Sequence, residues 1–204
     1  CHTPPTAPPP PQPPLYPPPN TPPLPPTSPA ISFFAFPDFD SSLQASASHN
    51  TGYDPLNAQT SFTIDGEVYR NNAVTNNGIL ISNPPSSWTF FINIYNNKLH
   101  ATWSSPSKYQ EFICNDITNV ANVWERFTVT FQKDTSTSDY KGVVQSYINC
   151  VACSMNQINL NQNTMNSVSS TFTIGTGGGT SVYNLNGQLR NAKLYMSVVT
   201  PTGC

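Results

Sequence analysis

This sequence is poor in charge. Asp, Glu, Lys and Arg make up only 9% of it, against roughly 25% in an ordinary soluble domain. Its 8 basic residues fall short of its 10 acidic ones, for a formal net charge of -2. No basic surface is available to neutralise a run of phosphates, so nucleic acid is not an expected partner. Long hydrophobic runs are missing too. The longest apolar stretches, Ile31 to Phe36 and Phe90 to Ile92, fall far short of the ~20 residues a membrane helix needs, and no membrane span is expected. Helical periodicity is hard to find anywhere. Although the chain has 23 asparagines, no Asn-x-Ser/Thr acceptor occurs.

Catalytic signatures are equally scarce. There is no Gly-x-Ser-x-Gly elbow and no His-Glu-x-x-His. Gly175-Thr176-Gly177-Gly178-Gly179 lacks a following Lys-Ser/Thr, so it is a flexible connection rather than a phosphate cradle. Glycosidase chemistry needs two carboxylates facing one substrate. Asp65 with Glu67 and Asp38 with Asp40 have the two-residue spacing of one strand face, but neither pair extends into a longer acidic pattern. Asp65-Gly66-Glu67 is expected to be a strand bend with solvated charges. The protein is not expected to be an enzyme. His2, His49 and His100 are scattered, and neither a metal nor a cofactor is expected.

Proline is abundant and localised. Sixteen of the 22 prolines lie between Pro4 and Pro29, which divides the chain into an arm, residues 1–30, and a domain, residues 31–204. Proline fixes φ and lacks an N–H, so the arm is expected to be a polyproline II rod. At ~3.1 Å per residue the 4–29 stretch would reach about 80 Å. The remaining residues, about 170, suffice to bury roughly 70% of their unfolded surface. The sequence begins with Cys1 rather than Met and shows no leader, as expected of a trimmed secretory product.

The domain reads as all-β. Apolar residues alternate in short runs broken by Asn, Gly, Ser and Thr. Phe62, Ile64 and Val68 share one face of a strand. Phe127, Val129 and Phe131 share another, with Arg126, Thr128 and Thr130 facing out, and Ala192, Leu194, Met196 and Val198 form the inward set of a last strand. Asn96-Asn97 and Asn186-Gly187 are hairpin signals, and Asn83-Pro84-Pro85 closes a strand at Ile79–Ser82. About ten to twelve strands in two sheets follow.

Trp124 to Phe131, Tyr147-Ile148-Asn149, Ile174-Gly175 and Leu185 to Leu189 running on to Ala192-Lys193-Leu194-Tyr195 resemble the ordered landmarks of laminin-G-like, concanavalin-A-like jelly rolls. The hairpin from Phe91 to Trp103 fits as well, so the resemblance covers roughly residues 60 to 199. It implies a jelly-roll β-sandwich. Cys150 stands where that family tends to have Gly, and the family's calcium carboxylates have no clear counterpart.

The arm resembles the hydroxyproline-rich, O-glycosylated segments of algal and plant wall glycoproteins. Candidates for hydroxylation or glycosylation are Pro4, Pro5, Pro8, Pro9, Pro10, Pro11, Pro13, Pro14, Pro17, Pro18, Pro19, Pro22, Pro23, Pro25, Pro26 and Pro29, with Thr3, Thr6, Thr21, Thr27 and Ser28. Polyproline II segments dock on aromatic-lined grooves, and head-to-tail docking between copies would build a filament. Ile31, Phe33, Phe34 and Phe36 form an apolar segment that would join arm to assembly. It would be a strand buried on both faces, completing its own sandwich or a neighbour's.

Five cysteines, Cys1, Cys114, Cys150, Cys153 and Cys204, suit an oxidising, extracellular setting and structural disulfides. Cys114 could pair with Cys150 or Cys153, while Cys1 or Cys204 could close within a molecule or link two. Two functions therefore stand. The first is an extracellular structural subunit of a cell surface or wall, assembling with copies of itself and carrying glycans. The second is a secreted lectin on a proline stalk, with Trp88, Trp103, Tyr109, Asn115 and Asp116 as candidate sugar contacts. Of these, Trp88, which opens a strand, and Trp103, which ends one, are expected to pack against the core more readily than to meet a sugar.

Overall fold

The computed structural model describes residues 32–44, 46–56, 60–71, 78–83, 89–115, 120–160, 169–176 and 184–203. The proline arm, Ile31, Trp88, Asp116, Cys1 and Cys204 lie outside the described residues, and with them the expectations placed on those positions.

Two antiparallel sheets face one another. Sheet A runs β1 (Phe33–Ala35), β14 (Gly187–Tyr195), β4 (Phe62–Arg70), β9 (Trp124–Lys133), β10 (Lys141–Ile148) and β11 (Val151–Ala152). The short β2 (Phe39–Asp40) also pairs with β14, and β12 (Asn156–Asn159) also pairs with β10. Sheet B runs β3 (Ala47–Asn50), β13 (Thr171–Ile174), β5 (Gly78–Asn83), β6 (Phe90–Tyr95), β7 (Lys98–Ser105) and β8 (Lys108–Ile113). Among the described residues there are 14 strands and no helix.

The two-residue period puts one side of every long strand between the sheets. Phe62, Ile64 and Val68 of β4 lie against Phe127, Val129 and Phe131 of β9 on this inner side, all of them buried. Aromatic rings fill the centre. Trp103 has no exposed surface and packs at 5.1 Å from Phe90, 5.6 Å from Phe112 and 6.2 Å from Phe131, measured between ring centroids. Each such side chain contributes about 1.5–3 kcal/mol by leaving water.

Two tight turns carry paired left-handed residues, as two-residue hairpins of type I′ require. Asn96 and Asn97 have φ of 48° and 61°, and Asn149 and Cys150 have 49° and 61°. Cys150 thus takes the conformation that glycine would adopt freely, turning β10 back into β11. A disulfide joins Cys114, just after β8, to Cys153, just after β11, so it ties the far edges of the two sheets together. Cys150 is disulfide-bonded as well.

Several expectations need correction. The last strand stops at Tyr195, and Val198, expected inside, is 42% exposed. Asn186-Gly187 is not a hairpin tip: Gly187 is the first residue of β14 and pairs with Arg70. It must be glycine because a Cβ there would meet the Tyr69 carbonyl. Phe33 is 48% exposed rather than buried on both faces, because β1 is a sheet edge on whose outer side, among the described residues, it meets Tyr195 and Lys193. Phe34 is half-buried on Tyr53, while Phe36 is buried against Phe172 and His49. The segment completes its own sandwich by pairing with β14.

Candidate functional site

The outer side of sheet A is where charge and aromatic surface meet. Side chains alternating outward from four adjacent strands, β1, β14, β4 and β9, form rows across it. Gln188, Tyr69 and Trp124 make one row, Arg190, Glu67 and Arg126 the next, then Lys193, Asp65 and Thr128, and finally Phe33, Tyr195 and Thr63. The chain leaving β14 turns back over the end of this surface. Thr63 Oγ1 donates to the Ser197 carbonyl at 2.9 Å and accepts from the Val199 amide at 2.8 Å, and Arg126 Nη1 donates to the Thr202 carbonyl at 2.9 Å. Between this returning segment and β14 lies an open groove of about 540 Å³.

Its floor is a fixed set of ion pairs. Arg126 grips Asp65 with two parallel bonds, Nε to Oδ1 at 2.8 Å and Nη2 to Oδ2 at 3.0 Å, while Thr128 Oγ1 donates to the same Oδ1 at 2.6 Å. Bidentate pairing of this kind fixes the planes of both groups. Asp65 is only 8% exposed. The expected solvated bend is therefore wrong: Asp65-Gly66-Glu67 is the middle of β4, and its charges are held by arginines from both neighbouring strands. Gly66 is needed there because a Cβ would press on the Phe127 ring and on Ala192.

Glu67 Oε2 accepts from Arg190 Nε at 2.8 Å and from Asn191 Nδ2 at 2.7 Å. Burial alone would raise the Glu67 carboxyl, but these bonds and the charges of Arg190 and Arg126 hold it below its ordinary value. A glycosidase acid needs the opposite shift. Arg190 in turn lays its guanidinium over Trp124, 3.8 Å from the ring centre, and Tyr69 flanks the indole at 5.6 Å. Trp124 is half-buried and forms a wall shared by this groove and a neighbouring depression lined by Asp38, Leu43 and Gln188. At the other end Lys193 Nζ sits 5.0 Å from the centre of the Phe33 ring, beside Tyr195.

Of the sugar contacts expected from sequence, the three among the described residues, Trp103, Tyr109 and Asn115, do not come together. Trp103 is a core residue, because it falls on the same inward alternation as Leu99 and Ala101. Tyr109 is 55% exposed near the start of β8 on sheet B, whereas Asn115 lies beyond that strand's other end, where its Oδ1 accepts from Lys98. Sequence reasoning missed the Trp124 groove, although the outward alternation of Arg126 with Thr128 and Thr130 was a partial signal. Among the described residues no group of three His, Cys, Asp or Glu side chains could hold a metal.

No protein-family model matches the sequence, and no curated protein does. Solved structures share its fold. The binding domain of botulinum neurotoxin DC in complex with rat synaptotagmin II superposes with a TM-score of 0.54 at 18% identity, over 76% of this chain and 37% of that one. The same binding domain in complex with SialylT gives 0.51 at 19%, over 70% and 34%. A heptameric SAP-like pentraxin from Limulus polyphemus gives 0.52 at 16%, over 69% and 66%. This chain matches about a third of the length of the neurotoxin domains. At such identities the likeness concerns architecture alone, and the architecture is an all-β jelly-roll β-sandwich.

Proposed function

We propose that this protein is a carbohydrate-binding, lectin-like module and that the groove beside Trp124 is its sugar site. The observation that carries this reading is the Trp124–Arg190–Glu67 stack: an indole held in place by a guanidinium, itself held by a carboxylate. Sugar sites combine an apolar face for the C–H side of a ring with a few fixed polar groups for its hydroxyls. Trp124 supplies the first, and Glu67, Asn191 and Asn149 supply the second. The arrangement suits binding rather than catalysis, since Glu67 is held ionised and salt-bridged. That a structure sharing the fold was solved in complex with SialylT is in keeping with this reading. The disulfide suits an extracellular setting.

The test is a glycan array probed with the full chain and with Trp124→Ala, folding being checked by circular dichroism. Binding to a defined set of glycans that falls at least tenfold in the variant supports the reading. No binding to any glycan, or equal binding by the variant, overturns it.

A second reading, a self-assembling subunit of a surface filament, is favoured by the edge position of β1. Its exposed Phe33 follows the proline tract directly in the sequence. Electron microscopy of the full chain should then show filaments that Phe33→Asp abolishes while the domain stays folded. Discrete particles in both would leave the lectin alone.

A further inference from the structure

Two of the chain's 8 basic residues, Arg126 and Lys193, line this groove, with two of its 10 acidic ones, Asp65 and Glu67. Arg190, which pairs with Glu67 from the neighbouring depression, brings the local count to three cations against two carboxylates in a protein of net charge -2. The two carboxylates are already matched, Asp65 by Arg126 and Glu67 by Arg190. Lys193 makes no ion pair among the described residues. Its ammonium rests over the Phe33 ring instead, a weaker partner than a carboxylate and one that leaves its other donors facing the groove. Lys193 lies opposite Asp65 and Trp124 opposite Tyr69, four residues further along β4. The two are thus about 14 Å apart along the strands and about 10 Å across them. A single sugar ring cannot reach both.

Building on the glycan-binding reading, we propose that the groove selects an anionic oligosaccharide. One of its sugars packs on Trp124, and a carboxylate or sulfate on a separate sugar is received by Lys193. Exposed charges this far from their neighbours are screened by salt, so the preference for an anionic ligand should weaken as ionic strength rises.

Isothermal titration of the full chain with matched neutral, uronate-bearing and sulfated oligosaccharides tests this at low and high salt. The anionic ligand should bind about tenfold more tightly than its neutral analogue at low salt, a difference of about 1.4 kcal/mol. Lys193→Gln should abolish that preference while retaining the neutral affinity, Lys193→Arg should preserve it, and Trp124→Ala should weaken both ligands. Carboxyl reduction or desulfation of the ligand identifies which anion is read. Equal affinity for neutral and anionic ligands, or a preference that survives in Lys193→Gln, overturns the anionic selection while leaving the lectin intact. Failure to bind any oligosaccharide overturns both.

Discussion

The guanidinium of Arg190 lies 3.8 Å above the centre of the Trp124 ring while its Nε donates to Glu67 at 2.8 Å. One side chain thus couples a surface aromatic to a carboxylate on the neighbouring strand. Arg190→Ala is expected to lower stability by about 0.5–1 kcal/mol, the scale of an exposed cation–π contact, and to weaken glycan binding by freeing the indole. Arg190→Lys should rescue little of the affinity, because an ammonium cannot stack as a plane. Chemical denaturation and titration of the two variants check this.

The Arg126–Asp65 pair predicts a larger effect on folding. Asp65 is buried and also accepts from Thr128, so Asp65→Ala takes the carboxylate from the Thr128 hydroxyl and from a partly buried guanidinium that keeps its bond to the Thr202 carbonyl. The expected loss is about 1–3 kcal/mol in urea unfolding, below the full value for a buried pair because Arg126 keeps 27% of its side-chain surface in water. An unchanged midpoint would contradict the account.

Two carboxylates should bend the pH profile in opposite directions. Glu67 is held below its ordinary value of 4.5, so its contribution to stability is present above about pH 4.5 and is lost as pH falls through its lowered folded-state value. Glu125 is raised above 4.5, chiefly by burial, against hydrogen bonds from Val120 and Asn149 and the charge of Arg70. Its ionisation is easier in the unfolded chain, so it removes stability as pH rises from about 4.5 through its folded-state value. Relative to the unaltered protein, Glu125→Gln should therefore look more favourable at pH 7 than at pH 4, and Glu67→Gln less favourable. Thermal melts at the two pH values compare them.

Reducing the Cys114–Cys153 bond, or replacing both cysteines with serine, should cost about 2–4 kcal/mol. The bond closes a separation of 39 residues in the unfolded chain. Urea unfolding of the double-serine variant beside the unaltered protein, both without reductant, measures the difference.

How far the sequence could be read differs between strands and site. The inner faces of β4 and β9 were legible because Phe62, Ile64, Val68 and Phe127, Val129, Phe131 alternate without interruption. Asn96-Asn97 announced its own turn. The groove was not legible, because its residues come from β4, β9 and β14, and only the pairing of β14 beside β4 sets Arg190 opposite Glu67, 123 positions away. No pattern within one strand carries that information. The same gap explains Asp65: as an isolated Asp-Gly-Glu it looks solvated, and it is buried only because Arg126 and Thr128 arrive on the next strand. Trp103 shows the reverse, since its inward alternation with Leu99 and Ala101 was visible and outweighs its aromatic chemistry.

The central claim is that a glycan sits against Trp124. Nuclear magnetic resonance of the full chain with 15N-labelled tryptophan should give three indole signals, one each from Trp88, Trp103 and Trp124, assigned by single Trp→Phe substitutions. Titration with an oligosaccharide ligand from the array should shift the Trp124 signal and leave that of the core residue Trp103 in place. Saturable binding with the Trp124 signal unmoved would contradict the account.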